Sequence, residues 1–264
     1  MSHYDPDNME MAAKRLSEII LAGELNLEGD EKVATQVREA YMKQIESEND
    51  TVQSEAIKYL ADIVPKMPSA QVELIFEKIL EFIVNQNLHE KKRERYGACA
   101  ATVIHQAAEE HGHKLENLFL KSIARLLEFK DKKSEIEIIL IGIITEFLKK
   151  WPNVASQLKF DRPSLTIYLL KNVQVKSKLD IIKKSETCLG KLALILNRDH
   201  VQLLIADKDW GLLRFIENSR KKQGLDNLKH LRNGLLCLNQ VIRTNNVELR
   251  WWVREAAQLL VGTI

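Results

Sequence analysis

A chain of 264 residues that is 45% hydrophobic can bury a sizeable core, while only 10 Gly and 5 Pro leave little turn punctuation for a hairpin-rich sheet, so an all-α fold is expected. Its 39 Lys and Arg face 37 Asp and Glu, a formal charge of +2, which argues against a nucleic-acid groove. The longest apolar run, Ile138 to Ile144, is far below a bilayer span, and the polar start MSHYDPDNMEMAAKRL has no signal core; a soluble cytoplasmic or nuclear protein with no membrane partner is expected.

In chain order, residues 1–8 are expected to be irregular, and Met9 to Leu21 to form a helix that Gly23 ends. Asp30 opens a second helix, in which Val33, Val37, Tyr41 and Ile45 recur every four residues. Asp50, with Thr51 after it, should cap a third from Val52 to Val64, closed by Pro65 and Pro68. Ser69 to Val84 pairs with Lys91 to about Glu110 across NQNLHEKKRER, the most basic run of the chain. His113 to Glu128 pairs with Ser134 to Lys150 across FKDKKS, and Trp151-Pro152 stops that pair. A short helix, Ser164 to Asn172, precedes a long one, Lys178 to Leu196. The next pair begins near His200, carries Trp210, Leu213, Phe215 and Ile216, turns through ENSRKKQG and resumes from Leu225 to Arg243. Val247 to Val261 is a last helix, and the ending LLVGTI suggests an array that continues.

The second helices of these pairs repeat one pattern. Between Lys178 and Leu196, Ile181, Ser185, Leu189 and Leu192 share a face, Lys183, Lys184, Glu186 and Lys191 take the other, and Gly190 invites close approach of a neighbour. Setting Ile181 on Val52 puts Ser185 on Ala56, Leu189 on Leu60 and Gly190 on Ala61, a displacement of 129 residues or three periods of about 43. Ile136, Leu140 and Ile144 give another copy, and Leu231, Leu235, Asn239 and Ile242 a further one. The period belongs to HEAT and armadillo arrays. The expectation is one array over 1–264, a right-handed α-α superhelix of about five helix pairs, with units near 9–28, 30–66, 68–112, 113–152, 160–197 and 198–245 and a terminal helix at 247–261.

Cys99, Cys188 and Cys237 are far apart in apolar helical contexts and suit reduced packing thiols. His105, His111 and His113 lack the convergent ligands of a metal site and are expected to be exposed histidines of a turn. No catalytic, cofactor-binding or metal residue is assigned, and the chain is expected to be a monomeric binding protein without cofactor. The candidate contact residues are cations of the interhelical turns: Lys91, Lys92, Arg93, Arg95, Lys130, Lys132, Lys133, Lys176, Lys178, Arg220, Lys221 and Lys222. Recurring at one place in each repeat, they would form a basic ridge that steers an acidic protein partner.

The segments TVQSEAIKYLADIV (Thr51 to Val64), EIEIILIGIITEFL (Glu135 to Leu148), IIKKSETCLGKLA (Ile181 to Ala193) and LLCLNQVIR (Leu235 to Arg243) are similar, in order and spacing, to successive inner helices of the CAND family, the cullin-associated exchange factors. The resemblance covers most of this chain and about the first quarter of such a protein. It implies a scaffold that wraps an unmodified cullin near its RING subunit, covers the lysine that takes the ubiquitin-like modifier, and promotes exchange of substrate receptors. Lys91 to Tyr96 departs from the family's apolar lead-in to the second inner helix. A karyopherin-like or phosphatase-type scaffold with another protein partner shares the same fold. A HEAT-like DNA glycosylase would use Trp151, Trp210, Trp251 and Trp252 with Arg214, Arg250 and Arg254, but the balanced charge opposes it.

Overall fold

The computed structural model describes residues 5–85, 87–107, 109–129, 134–158, 162–174, 178–196, 198–221 and 225–244. Every regular element among them is a helix, so the fold class is the expected all-α helical repeat. None of these helices is long and apolar enough to cross a membrane. The chain divides into two compact units, residues 1–122 and 123–264.

Unit one contains α1 (Pro6–Leu21), α2 (Glu31–Ile45), α3 (Asp50–Ile63), α4 (Ser69–Val84), α5 (Glu90–Gln106), the single turn α6 (Glu109–Gly112) and the start of α7 (Glu116–Phe129). Helix α1 starts earlier than expected. Pro6 occupies its first turn, where no amide hydrogen is needed, and the Asp5 carboxylate accepts from the Asp7 amide at 3.1 Å. It ends where Gly23 takes φ +77°, with the Gly23 and Glu24 amides donating back to Ile20 and Ile19. The α3 cap is Asn49 rather than Asp50 with Thr51, because the Asn49 side-chain oxygen already accepts from the Thr51 and Val52 amides at 2.9 and 3.1 Å. Asp50 therefore sits in the first turn, where a negative charge also suits the helix dipole.

Helix α3 packs against α1, α2 and α5, and α4 packs against α2 and α5, so successive second helices touch. Val52, Ala56, Leu60 and Ala61 are all buried, as their spacing predicts. Tyr41 of α2 is buried and reaches α1, its hydroxyl donating to the Ala13 carbonyl at 2.8 Å. Burial and the nearby Asp62 hold that phenol well above its ordinary value.

Unit two contains α8 (Ser134–Lys150), α9 (Pro152–Gln157), α10 (Arg162–Gln174), α11 (Leu179–Ile195), α12 (Arg198–Ala206), α13 (Leu212–Lys221) and α14 (Leu225–Thr244). Helix α11 lies between α8 and α14, backed by α10, while α13 backs α14. Its predicted face, Ile181, Ser185, Leu189 and Leu192, is buried, and Asn172 of α10 donates to the Ser185 hydroxyl at 3.3 Å. Pro152 not only stops α8 but opens α9, which hydrophobic spacing does not reveal in so short a piece. The first helix of the last pair is broken into α12 and α13. There the Asp207 carboxylate accepts from the amides of Asp209 and Trp210, and a Cβ on Gly211 would stand 2.6 Å from the Asp207 backbone.

One expected register is wrong. Among the described side chains of α14 the buried residues are Asn233, Gly234, Cys237, Leu238 and Val241, while Leu231 and Leu235 are partly exposed and Asn239 is exposed. The cause is Gly234: a Cβ there would come within 2.9 Å of the Phe215 ring, so α14 descends onto α13 along its smallest residue. The side chain of Ile242 and the predicted helix Val247 to Val261 lie outside the described residues.

Candidate partner-binding surface

The basic run that opens α5 meets its own protein first. Arg93 is buried, 2% exposed, and its guanidinium donates to the carbonyls of Ile83, Asn85 and Leu88 at 2.9, 2.8 and 2.9 Å. These are carbonyls at the end of α4 and in the turn after it, which no helical amide can reach. Arg93 therefore holds its own turn together and does not stand on an outer ridge.

Its neighbours reach back one repeat. Lys92 Nζ lies 2.6 Å from a Glu48 carboxylate oxygen and 3.5 Å from the Glu46 carbonyl, at the negative end of α2. Arg95 pairs with Asp50 and donates to Gln53 Oε1 at 3.0 Å. Gln53, fully buried, donates in turn to the Ile45 carbonyl at 2.8 Å, and Tyr96 adds a longer bond to the same oxygen at 3.4 Å. The hydrogen bond from Arg95 keeps the Asp50 carboxyl below the usual carboxylate range. Burial pushes the Tyr96 phenol up to about 12.

The same backward step recurs. Lys121 pairs with Glu77, 44 residues earlier, in unit one. Lys178 lies 3.5 Å from Glu135, 43 residues earlier, in unit two. With Lys92 to Glu48 at 44 and Arg95 to Asp50 at 45, the separations match the repeat period. The recurrence of charge that suggests a ridge thus includes a ladder of contacts between neighbouring repeats.

Of the other candidates, Lys91 is exposed at the head of α5. Lys221 pairs with Glu217 at 2.6 Å on α13, where Arg220 is also exposed. Lys130, Lys132, Lys133, Lys176 and Lys222 lie outside the described residues. The structure brings together Lys91, Lys92, Arg93 and Arg95, on one helix, and leaves Lys178 and Lys221 in unit two.

His111 is not an exposed turn histidine. It is 5% exposed, with Nδ1 2.7 Å from the Ser69 hydroxyl, so it ties α6 to the start of α4; His105 and His113 are exposed. Trp151 is buried against Phe147, ring centroids 5.3 Å apart, and is not a stacking platform; Trp251 and Trp252 lie outside the described residues. The three thiols are buried and free, and burial raises each above its ordinary value, Cys99 and Cys188 to about 12.

A different exposed face was missed by the turn-based reading. On α14, Leu228, Arg232, Leu236, Asn239 and Arg243 are exposed and fall on one stripe, and on α11 Leu179, Lys183, Thr187, Lys191 and Leu194 form another, with Lys191 partly covered. Glu186 of α11 is half-buried; burial raises its pKa, and the charges of Arg232 and Lys183 oppose that. The α14 register error hides this face, since it places Leu235 and Asn239 in the core.

No family model and no curated protein matches the chain. Among solved structures it is similar to a designed armadillo repeat protein, at 15% identity and a TM-score of 0.44, covering 91% of this chain and 96% of that one. It is also similar to an engineered protein at 13% identity and a TM-score of 0.45, covering 94% of this chain and 95% of that one.

Proposed function

We propose that the chain is a non-catalytic protein-binding scaffold whose partner is an unmodified cullin with its RING subunit, and that it promotes exchange of substrate receptors on that core. The scaffold reading is carried by the packing of successive second helices, α3 on α5 in unit one and α8, α11 and α14 in unit two. Such packing sets exposed helix faces side by side, so a partner can be held by many modest contacts. The cullin reading is supported by the four inner-helix segments that resemble the CAND family. Exposed cations such as Lys91, and Lys178 at the head of α11, would speed encounter with an acidic partner more than they tighten the complex.

The test is co-elution of the chain with a cullin C-terminal domain bound to its RING subunit, with and without the ubiquitin-like modifier. Binding to the unmodified form alone is expected. Equal binding to both forms, or binding to neither by a chain shown to be folded, overturns the cullin assignment.

A further inference from the structure

We infer that the open face of α11 and α14 is a docking surface for an acidic amphipathic helix of a protein partner. This rests on the scaffold reading but not on the cullin. Solitary exposed leucines are ordinary on protein surfaces. Here Leu228 and Leu236 on α14 are 63% and 41% exposed, and Leu179 and Leu194 on α11 are 55% and 43% exposed. The two helices pack directly against each other, and the charges of Lys183 on α11 and Arg232 on α14 both lower the pKa of Glu186 on α11.

The charge on this face is mostly positive. Lys183, Lys191, Arg232 and Arg243 lie along the stripes; the acids among the described side chains of the two helices are the exposed Asp180 at the head of α11 and the half-buried Glu186. The complement is a helix with apolar residues at i, i+4, i+7 and i+11, flanked by Asp or Glu. From Leu228 to Arg243 the stripe rises about 22 Å, enough for about four turns of a partner. An anionic membrane shares the charge requirement, but binding there needs a continuous apolar face to enter the interface, and these leucines are separated by Lys, Arg, Thr and Asn. The chemistry favours a protein helix.

The probe is a fluorescein-labelled helical peptide of about 20 residues with leucines in that spacing and glutamates beside them, titrated against the full chain by anisotropy. Controls are the same residues in scrambled order, the peptide with Lys for Glu, and phosphatidylserine-rich vesicles. Binding about tenfold tighter than either control peptide is expected, weakened about fivefold or more by L228S/L236S and by K191E/R243E, with unchanged thermal melts. Equal binding of the scrambled peptide, no measurable binding, indifference to both double variants, or preference for vesicles overturns the proposal. Loss of peptide binding with cullin co-elution intact removes this surface alone. Peptide binding without co-elution removes the cullin alone.

Discussion

Arg93 shows how one side chain can carry a charge and still serve as an internal strut. Its three carbonyl acceptors belong to the end of α4 and its exit turn, so Arg93→Ala takes this partner from the buried Ile83 carbonyl and the part-buried Leu88 carbonyl, while Asn85 keeps the Leu88 amide at 3.2 Å. The expected cost is about 3 kcal/mol, read as a lower midpoint in urea, with Arg93→Lys recovering less than half because an ammonium cannot span three divergent acceptors. Glu186 makes the opposite case. One of its carboxylate oxygens is buried without a hydrogen-bond partner, and burial raises its pKa despite Arg232 and Lys183. The folded chain therefore takes up a proton at higher pH than the unfolded chain, and ionised Glu186 opposes folding at neutral pH. Glu186→Gln should raise the melting temperature by about 2 °C at pH 7. The gain should fade as the pH falls through the raised folded value toward that of an ordinary glutamate. A constant gain across that range would show that the carboxylate is not the cause.

At the scale of the helix, α14 separates what pattern reveals from what it hides. The bounds of α4 and α8 coincide with the sequence expectation because Pro68, Ser134 and Trp151-Pro152 punctuate them locally. The buried faces of α3 and α11 were equally legible, since apolar residues at helical spacing leave little choice. On α14 apolar residues occur on too many sides for spacing to decide, and the choice passes to Gly234 beneath the Phe215 ring. Gly234→Ala should thus lower stability by about 1 kcal/mol although alanine is the better helix former. Phe215→Leu in the same chain should restore most of it; an additive double variant in urea titrations would disprove the contact. The candidate site was least legible for a related reason. Sequence displays the charges of HEKKRER but not the distance to Glu48 or Asp50, and that distance decides whether a cation awaits a partner or already has one.

Across the whole molecule, stability should be distributed as the packing is. Residues with no exposed surface concentrate in α3, α4, α8 and α11, exemplified by Leu60, Ile75, Ile144 and Leu189. Their amides should exchange slowest in deuterium, and those of α1 faster, since much of α1 beyond Ala13, Ser17 and Ile20 contacts water. Mass spectrometry of peptic fragments reads this directly. Uniform exchange across these helices would contradict it.

The buried thiols give the same molecule an internal clock. Cys99 lies in unit one, Cys188 and Cys237 in unit two, each on a second helix and each shielded. An alkylating reagent must wait for the surrounding helices to open, so the rate at which each cysteine is capped reports the opening of its own neighbourhood. A ligand that seats on α14 would be seen as slower capping of Cys237, without any label being added to the protein.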